Sequence, residues 1–224
     1  MTTDRPAPTG ADRRSRRLRA DAEANLDRVL RAAEEVFAEY GIEASIDLVA
    51  KRAGLGLGTI YRRFANKEAL VAELVNRLLT DVVAVGERHL SDPDGTGMAN
   101  YLIEVSELLA TSRGAVARLW SDPSSKQLVM RSRQVQQQLV DEARRHGAAR
   151  TDLTGEDLAV ALWAIHGILD ITRGLPVNAW RRHLDFVLAG FTDRAAIAPP
   201  PALSARRMTQ IIKSSPMARP GRQT

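Results

Sequence analysis

The sequence predicts an all-α fold in two parts, and three observations predict it. Apolar residues recur at i, i+3, i+4 over most of the chain, and no stretch of useful length alternates apolar with polar residues as a strand would. Turn-forming Gly, Pro, Asp and Ser interrupt these helical runs at intervals that suit helix-to-helix connections. The chain has 224 residues, 44% of them hydrophobic, enough for a substantial core in one large or two small domains.

Leu26, Val29, Leu30, Ala33, Val36, Phe37 and Tyr40 make the apolar stripe of a first helix that Gly41 stops. Ser45 suits the N-cap of a short helix from Ile46 to Ala53, with Asp47 in the first turn where its charge complements the helix dipole, and Gly54 ends it. A second short helix runs from Leu57 to Phe64. Asn66 then caps a long helix through Leu70, Leu74, Leu78 and Val82 to His89. The turn-rich SDPDGTG that follows marks a change of composition. Beyond it, helical stretches are expected at Met98–Ser112, Ala115–Trp120, Ser124–His146, Thr154–Arg173, where Thr154 and Asp157 form a capping-box-like start, and Val177–Phe191. This makes about nine helices. Four units follow: a basic flexible arm (1–20), a three-helix domain (21–66), a larger helical domain (67–194) and a disordered basic tail (195–224), with at most a short helix near Met208 to Lys213.

Composition removes several classes of function. No cysteine is present, so disulfides, thiolate metal sites and cysteine nucleophiles are excluded, and the four histidines, His89, His146, His166 and His183, lack metal-ligand spacing. No cofactor or metal is expected, and the scattered carboxylates and histidines offer no catalytic constellation, so an enzyme is not expected. The longest apolar runs, such as Leu158 to Ile165, fall short of the roughly 20 residues a membrane helix needs. The N-terminal arginines precede no apolar segment, so a cytoplasmic protein without membrane contact is expected. The net charge of +5 is unevenly divided: residues 1–20 carry +4 and residues 195–224 carry +5, leaving −4 on the body. A basic arm beside a folded body points to a polyanion, most commonly nucleic acid. The C-terminal tail reads as a solvated segment without a partner.

Gly54, Gly56 and Gly58 in AGLGLGTIYRRFANKEAL resemble a phosphate-cradling loop. A dinucleotide fingerprint, however, needs a strand before its glycines and an acidic residue on a second strand, and here a helix precedes and no strand follows. Ile46 to Arg63 reads instead as a helix-turn-helix. Ala50 permits close approach of the two helices, Gly54 takes the turn, and Ile60 is the inward anchor of the second helix, with Val49, Ala53, Leu55 and Leu57 in the wedge.

Residues 26–75 carry L-x-x-V-L-x-A-A-x-x-V-F-A-E-Y-G, then S-I-D-L-V-A-K-R-A-G, then G-T-I-Y-R-R-F-A-N-K-E-A-L. In order and spacing they resemble the N-terminal DNA-binding domain of the tetracycline-repressor (TetR) family of bacterial transcription regulators. The resemblance implies a recognition helix from Leu57 to Phe64 in the major groove, with Gly58, Thr59 and Arg62 toward the bases and Tyr61 and Arg63 toward the backbone. Lys51, Arg52 and Lys67 are implied phosphate contacts, Lys67 from a helix N-terminus. Phe64 is expected in the core. Gly56 departs from the pattern, since many members have a serine or threonine there that caps the recognition helix. The arm Arg13 to Arg19, placed before the first helix, is a candidate for the minor groove or the phosphates.

The resemblance further implies a homodimeric repressor that leaves a palindromic double-stranded DNA operator when a small hydrophobic effector binds. The last two long helices would then pair with their twofold copies. Candidate dimer residues are Leu158, Leu162, Ile165, Leu169, Trp180, Leu184, Val187 and Leu188, on helices apolar nearly all round. Trp120, Met130, Trp163 and His166 are candidate walls of an effector pocket, each also readable as plain core packing. Two other classes of function stay open on sequence alone: a helical small-molecule-binding protein or enzyme with a vestigial helix-turn-helix, and a sequence-tolerant architectural DNA binder.

Overall fold

The computed structural model describes residues 10–112, 125–172, 175, 177–192 and 203–214. Every regular element among them is helical. The first helix, α1 (Gly10–Tyr40), begins sixteen residues before the expected Leu26. Residues 11–25 are rich in Arg and Ala and lack Gly and Pro, so their backbone favours helix even without an apolar stripe. Among the described side chains of α1, Val29 is the first that is buried, which is why the stripe starts so late. Residues 10–19 are thus part of α1 and do not form an arm ahead of it. Gly41, at φ 83°, ends the helix, its N–H donating to the Phe37 carbonyl at 3.0 Å.

Three further elements complete the N-terminal unit. Helix α2 (Ile46–Ala53) is capped by Ser45, whose hydroxyl accepts from the Leu48 N–H at 3.4 Å. Helix α3 (Leu57–Arg63) follows after three residues. Helix α4 (Lys67–His89) starts where the Asn66 carboxamide oxygen accepts from the Ala69 N–H at 2.8 Å. Ile60, Phe64, Leu70 and Leu74 are buried with Val36, Phe37, Val49 and Ala50 in one core. The same core continues up α4, so the bridging helix is shared between the two parts.

At the top of α4 the chain turns sharply through a single 3-10 turn, Pro93–Gly95, into α5 (Gly97–Thr111). A Cβ on Gly97 would sit 2.1 Å from the His89 carbonyl oxygen, so only glycine allows this corner. His89 clamps it: Nδ1 lies 2.6 Å from Asp92 Oδ2 and Nε2 2.9 Å from Glu104 Oε2. Arg88 also pairs with Glu104, and the Asn100 amide donates to Asp92 at 2.8 Å. Asn100 and His89 hold the Asp92 carboxyl below its usual range, and Arg88 and His89 do the same for Glu104.

Helices α6 (Lys126–Arg145), α7 (Gly155–Ile171) and α8 (Ala179–Thr192) build the C-terminal domain with α4 and α5. Asp157 accepts from both the Thr154 N–H and hydroxyl at 2.8 Å, starting α7 where the sequence places its cap. The helix expected at Ala115–Trp120 lies outside the described residues. Within the tail expected to be disordered stands one more helix, α9 (Ala205–Ser214), and Arg133 on α6 donates to its Thr209 hydroxyl at 3.4 Å.

One polar pair is sealed inside this domain. The Gln136 amide donates to the Tyr101 hydroxyl at 2.9 Å, both side chains being buried. Burial pushes the Tyr101 phenol up to about 12. The unfolded phenol ionises near its ordinary value of about 10, so this contribution to stability is complete below pH 10 and lost between 10 and 12. The loss is about 1.4 kcal/mol per pH unit in that window. Denaturant titrations of the protein and of Tyr101→Phe at pH 9 to 12 are expected to show the variant losing less stability as pH rises.

Candidate nucleic-acid interface

The geometry of the α2–α3 pair follows from its turn. Gly54 adopts φ 64°, ψ 36°, the left-handed conformation that glycine takes at least cost, and its N–H reaches back to the Ala50 and Lys51 carbonyls. The Leu55 N–H also donates to Ala50 at 3.1 Å, closing the end of α2. Arg28 on α1 completes the cap by donating to the Ala53 carbonyl at 2.8 Å, a bond between residues 25 apart in sequence. No sequence signal marks Arg28 for this role.

Helix α3 divides cleanly into two faces. Ile60 is 0% exposed, and Phe64 is buried at the C-cap, its N–H donating to the Ile60 carbonyl at 2.8 Å. Opposite them, Gly58, Tyr61, Arg62 and Arg63 are exposed, Tyr61 by 48%, and Thr59 is half-buried. Arg62 donates to the Thr59 hydroxyl at 3.1 Å, which aligns the two side chains over one turn. Gly56 caps α3 without a side-chain bond, as expected for the residue type. A Cβ on Gly58 would meet nothing within 4 Å, so nothing in this chain requires glycine there.

The three outlying cations differ in their freedom. Lys51 is exposed, and among the described residues no carboxylate pairs with it. Arg52 is held on α1 by Glu35 at 3.3 Å and Glu39 at 2.7 Å, so its first task is to tie α2 to α1. That guanidinium also keeps the Glu39 carboxyl below its usual range. Lys67 sits at the N-terminus of α4 with its ammonium 3.6 Å from Glu43. Both contacts are exposed enough on the carboxylate side to exchange for a phosphate, but each cation carries a competitor that the spacing alone did not disclose.

Residues 29–74, which span this unit from the buried part of α1 into α4, match the model for bacterial regulatory proteins of the tetR family. This part of the chain is similar to the N-terminal domain of the TetR family. An HTH-type transcriptional regulator of Staphylococcus aureus (strain USA300) is 38% identical over 61 residues, 27% of this chain and 33% of that protein. The match therefore spans about a third of the curated relatives' length. Solved structures of TetR-family proteins extend the likeness to most of the fold. The regulator PfmR from Thermus thermophilus superposes with a TM-score of 0.61 at 17% identity, covering 74% of this chain and 99% of that one. A TetR transcription regulatory protein from Mycobacterium vanbaalenii gives 0.55 at 25% identity, with 78% and 98% covered. SmeT, the repressor of the Stenotrophomonas maltophilia multidrug efflux pump SmeDEF, gives 0.57 at 21%, with 82% and 100% covered.

Gly58 is the position where the resemblance to the TetR family would bring helix backbone toward the bases. Gly58→Ala is expected to stabilise the protein by about 0.5–1 kcal/mol through helix propensity while weakening duplex affinity several-fold. Melting curves and DNA titrations on the same samples read the two effects.

The residues expected to form a dimer interface fare differently. Leu158, Leu162, Ile165, Leu169, Trp180 and Leu184 are buried in the protomer's own core, and Val187 and Leu188 are half-buried. A helix apolar on several sides does not reveal in sequence which side its own domain takes, and here the domain takes these. What α7 and α8 leave outside is another set: Val160, Ile171 (84% exposed) and Phe186 (62% exposed), the last with the Arg182 guanidinium 4.9 Å over its ring. Of the expected effector walls, Met130 is 54% exposed on α6. Trp163 is half-buried and His166 buried, both on α7. Trp120 lies outside the described residues.

Proposed function

We propose that this chain is a sequence-specific DNA-binding transcription regulator that works as a homodimer, a repressor released from a palindromic operator by a small hydrophobic effector. The observation that carries the reading is α3: a short helix anchored by buried Ile60 and Phe64 presents Thr59, Tyr61, Arg62 and Arg63 outward. Such a helix reads the major groove, with arginine donating bidentately to guanine and flanking cations on phosphates. Lys51 and Lys67 supply the flanking charge, with Arg52 a secondary contact after its ion pairs.

A single recognition helix of seven residues reads only a few bases, so two copies on a twofold axis account for a useful operator. Val160, Ile171 and Phe186, large apolar side chains left exposed on α7 and α8, are what such a pairing would cover. Ligand control would act through α4, which carries core residues of both parts: an effector between the C-terminal helices biases its pose and with it the separation of the two α3 helices.

Selection of bound duplexes from a random pool at fixed salt tests the reading. A palindromic consensus bound about 1000-fold or more tighter than bulk DNA is the expected result. Binding without sequence preference points to the architectural alternative, and no duplex binding points to a protein with a vestigial helix-turn-helix. Affinity for the selected duplex across a ligand panel then tests the effector.

A further inference from the structure

Helix α3 has little of its own to fix its direction. It is seven residues long and α2 before it is eight, both below the roughly 12–15 residues at which a helix begins to be stable alone. Ile60 and Phe64 seat α3 in the core, but apolar burial is non-directional and permits rotation about the seat. The Arg62 bond to Thr59 is internal to α3. Between α2 and α3 stand Gly54, Leu55 and Gly56, and two glycines in so short a connection make a pliable joint unless something holds it.

Arg28 on α1 stands at that joint. Its Nη2 donates at 2.8 Å to the carbonyl of Ala53, the last residue of α2, and lies 3.3 Å from where a Cβ on Gly54 would sit. The guanidinium charge also suits the negative end of the α2 dipole. Arg52 ties the same turn of α2 to Glu35 and Glu39. The end of α2 is thus joined to α1 at two positions by charge-assisted hydrogen bonds, which have the direction that apolar packing lacks.

We propose that Arg28 is a positioning residue for DNA recognition: without touching a base, it holds the end of α2 and so fixes the direction in which α3 leaves the turn. The proposal rests on the function proposed above and deepens it. Hydrogen bonds to base edges need α3 within roughly 0.5 Å and 10–20° of its productive pose. Charge attraction to phosphates falls off slowly with distance and carries no sequence information. Loss of the Arg28 bond therefore costs specific binding more than binding to bulk DNA.

Arg28→Met keeps an unbranched stem and a comparable helix propensity while removing every donor, and Arg28→Lys restores a cationic donor. Operator affinity of the Met variant is expected to fall about tenfold, the scale of one hydrogen bond from a charged group. Affinity for an unrelated duplex and the slope of log affinity against log salt are expected to stay unchanged, and the Lys variant to recover most of the operator affinity. Amide hydrogen exchange on the full chain without DNA reads the joint itself. At Gly54 and Leu55, whose N–H groups close the end of α2, exchange is expected to be several-fold faster in the Met variant and near the original rate in the Lys variant.

A lower melting temperature with unchanged operator affinity makes Arg28 a helix cap and nothing more, and overturns the proposal. An equal loss on all duplexes, with a salt slope shallower by about one unit per half-site, is the signature of a phosphate contact and overturns it too. Unchanged exchange at the turn does the same. Failure of the unmodified protein to bind any duplex overturns the proposed function instead, and the exchange rates, which need no DNA, show separately whether Arg28 holds the turn.

Discussion

Arg62→Ala is expected to weaken binding to the selected operator by about 1–3 kcal/mol per half-site and to relax sequence preference at one base position. Stability should stay within about 0.5 kcal/mol, because Arg62 is exposed and its guanidinium donates to the neighbouring Thr59 hydroxyl within the same turn of helix. The contrast with Lys51→Ala makes the result specific. Removing a phosphate-binding ammonium at Lys51 should weaken all duplexes alike and make log affinity against log salt shallower by about one unit per half-site. A repeat selection on the Arg62 variant, with titrations at two salt concentrations, separates base readout from phosphate binding. An unchanged consensus would remove Arg62 from the bases.

Phe186→Asp is expected to shift the protein from dimer to monomer and to lower operator affinity by a factor on the order of 100 or more, since the second half-site then has to be found independently. The substituted side chain is exposed in the protomer, so the monomer should remain folded with its helicity intact. Sedimentation at several concentrations reads the assembly, and DNA titration reads the consequence. Leu162→Asp is the informative control: a charge at a fully buried position should unfold the domain, which is what the burial of α7's inner face requires. A dimeric Phe186→Asp would place the interface elsewhere on the surface.

The structure also revises the two termini. Residues 10–25 are a helical extension of α1, and the basic C-terminal segment contains a helix whose Thr209 accepts from Arg133. At the N-terminus, helix propensity without an apolar stripe is a weak signal in sequence, because periodicity reports burial and only indirectly helix; at the C-terminus, Met208, Ile211 and Ile212 do mark a short helix, within the one allowed near Met208 to Lys213. That distinction explains why α1 was legible from Leu26 onward and invisible before it. The same logic covers α7 and α8, where the helices were legible but their inward faces were not.

What the sequence by itself determined is the helix-turn-helix. Its cap at Ser45, its left-handed turn at Gly54, its anchor at Ile60 and the cap of α4 at Asn66 all lie within about twenty residues of one another, where backbone geometry and local capping decide the outcome. Tertiary structure alone decided the partners across the chain: Arg28 on the Ala53 carbonyl, Arg52 on Glu35 and Glu39, and the groove that joins Leu30 to Leu74 and Leu78 beside Asp27 and Arg77. These contacts link residues 13 to 50 positions apart. Their geometry depends on how whole helices cross, and that is set by the summed packing of the core, not by any local pattern of residues.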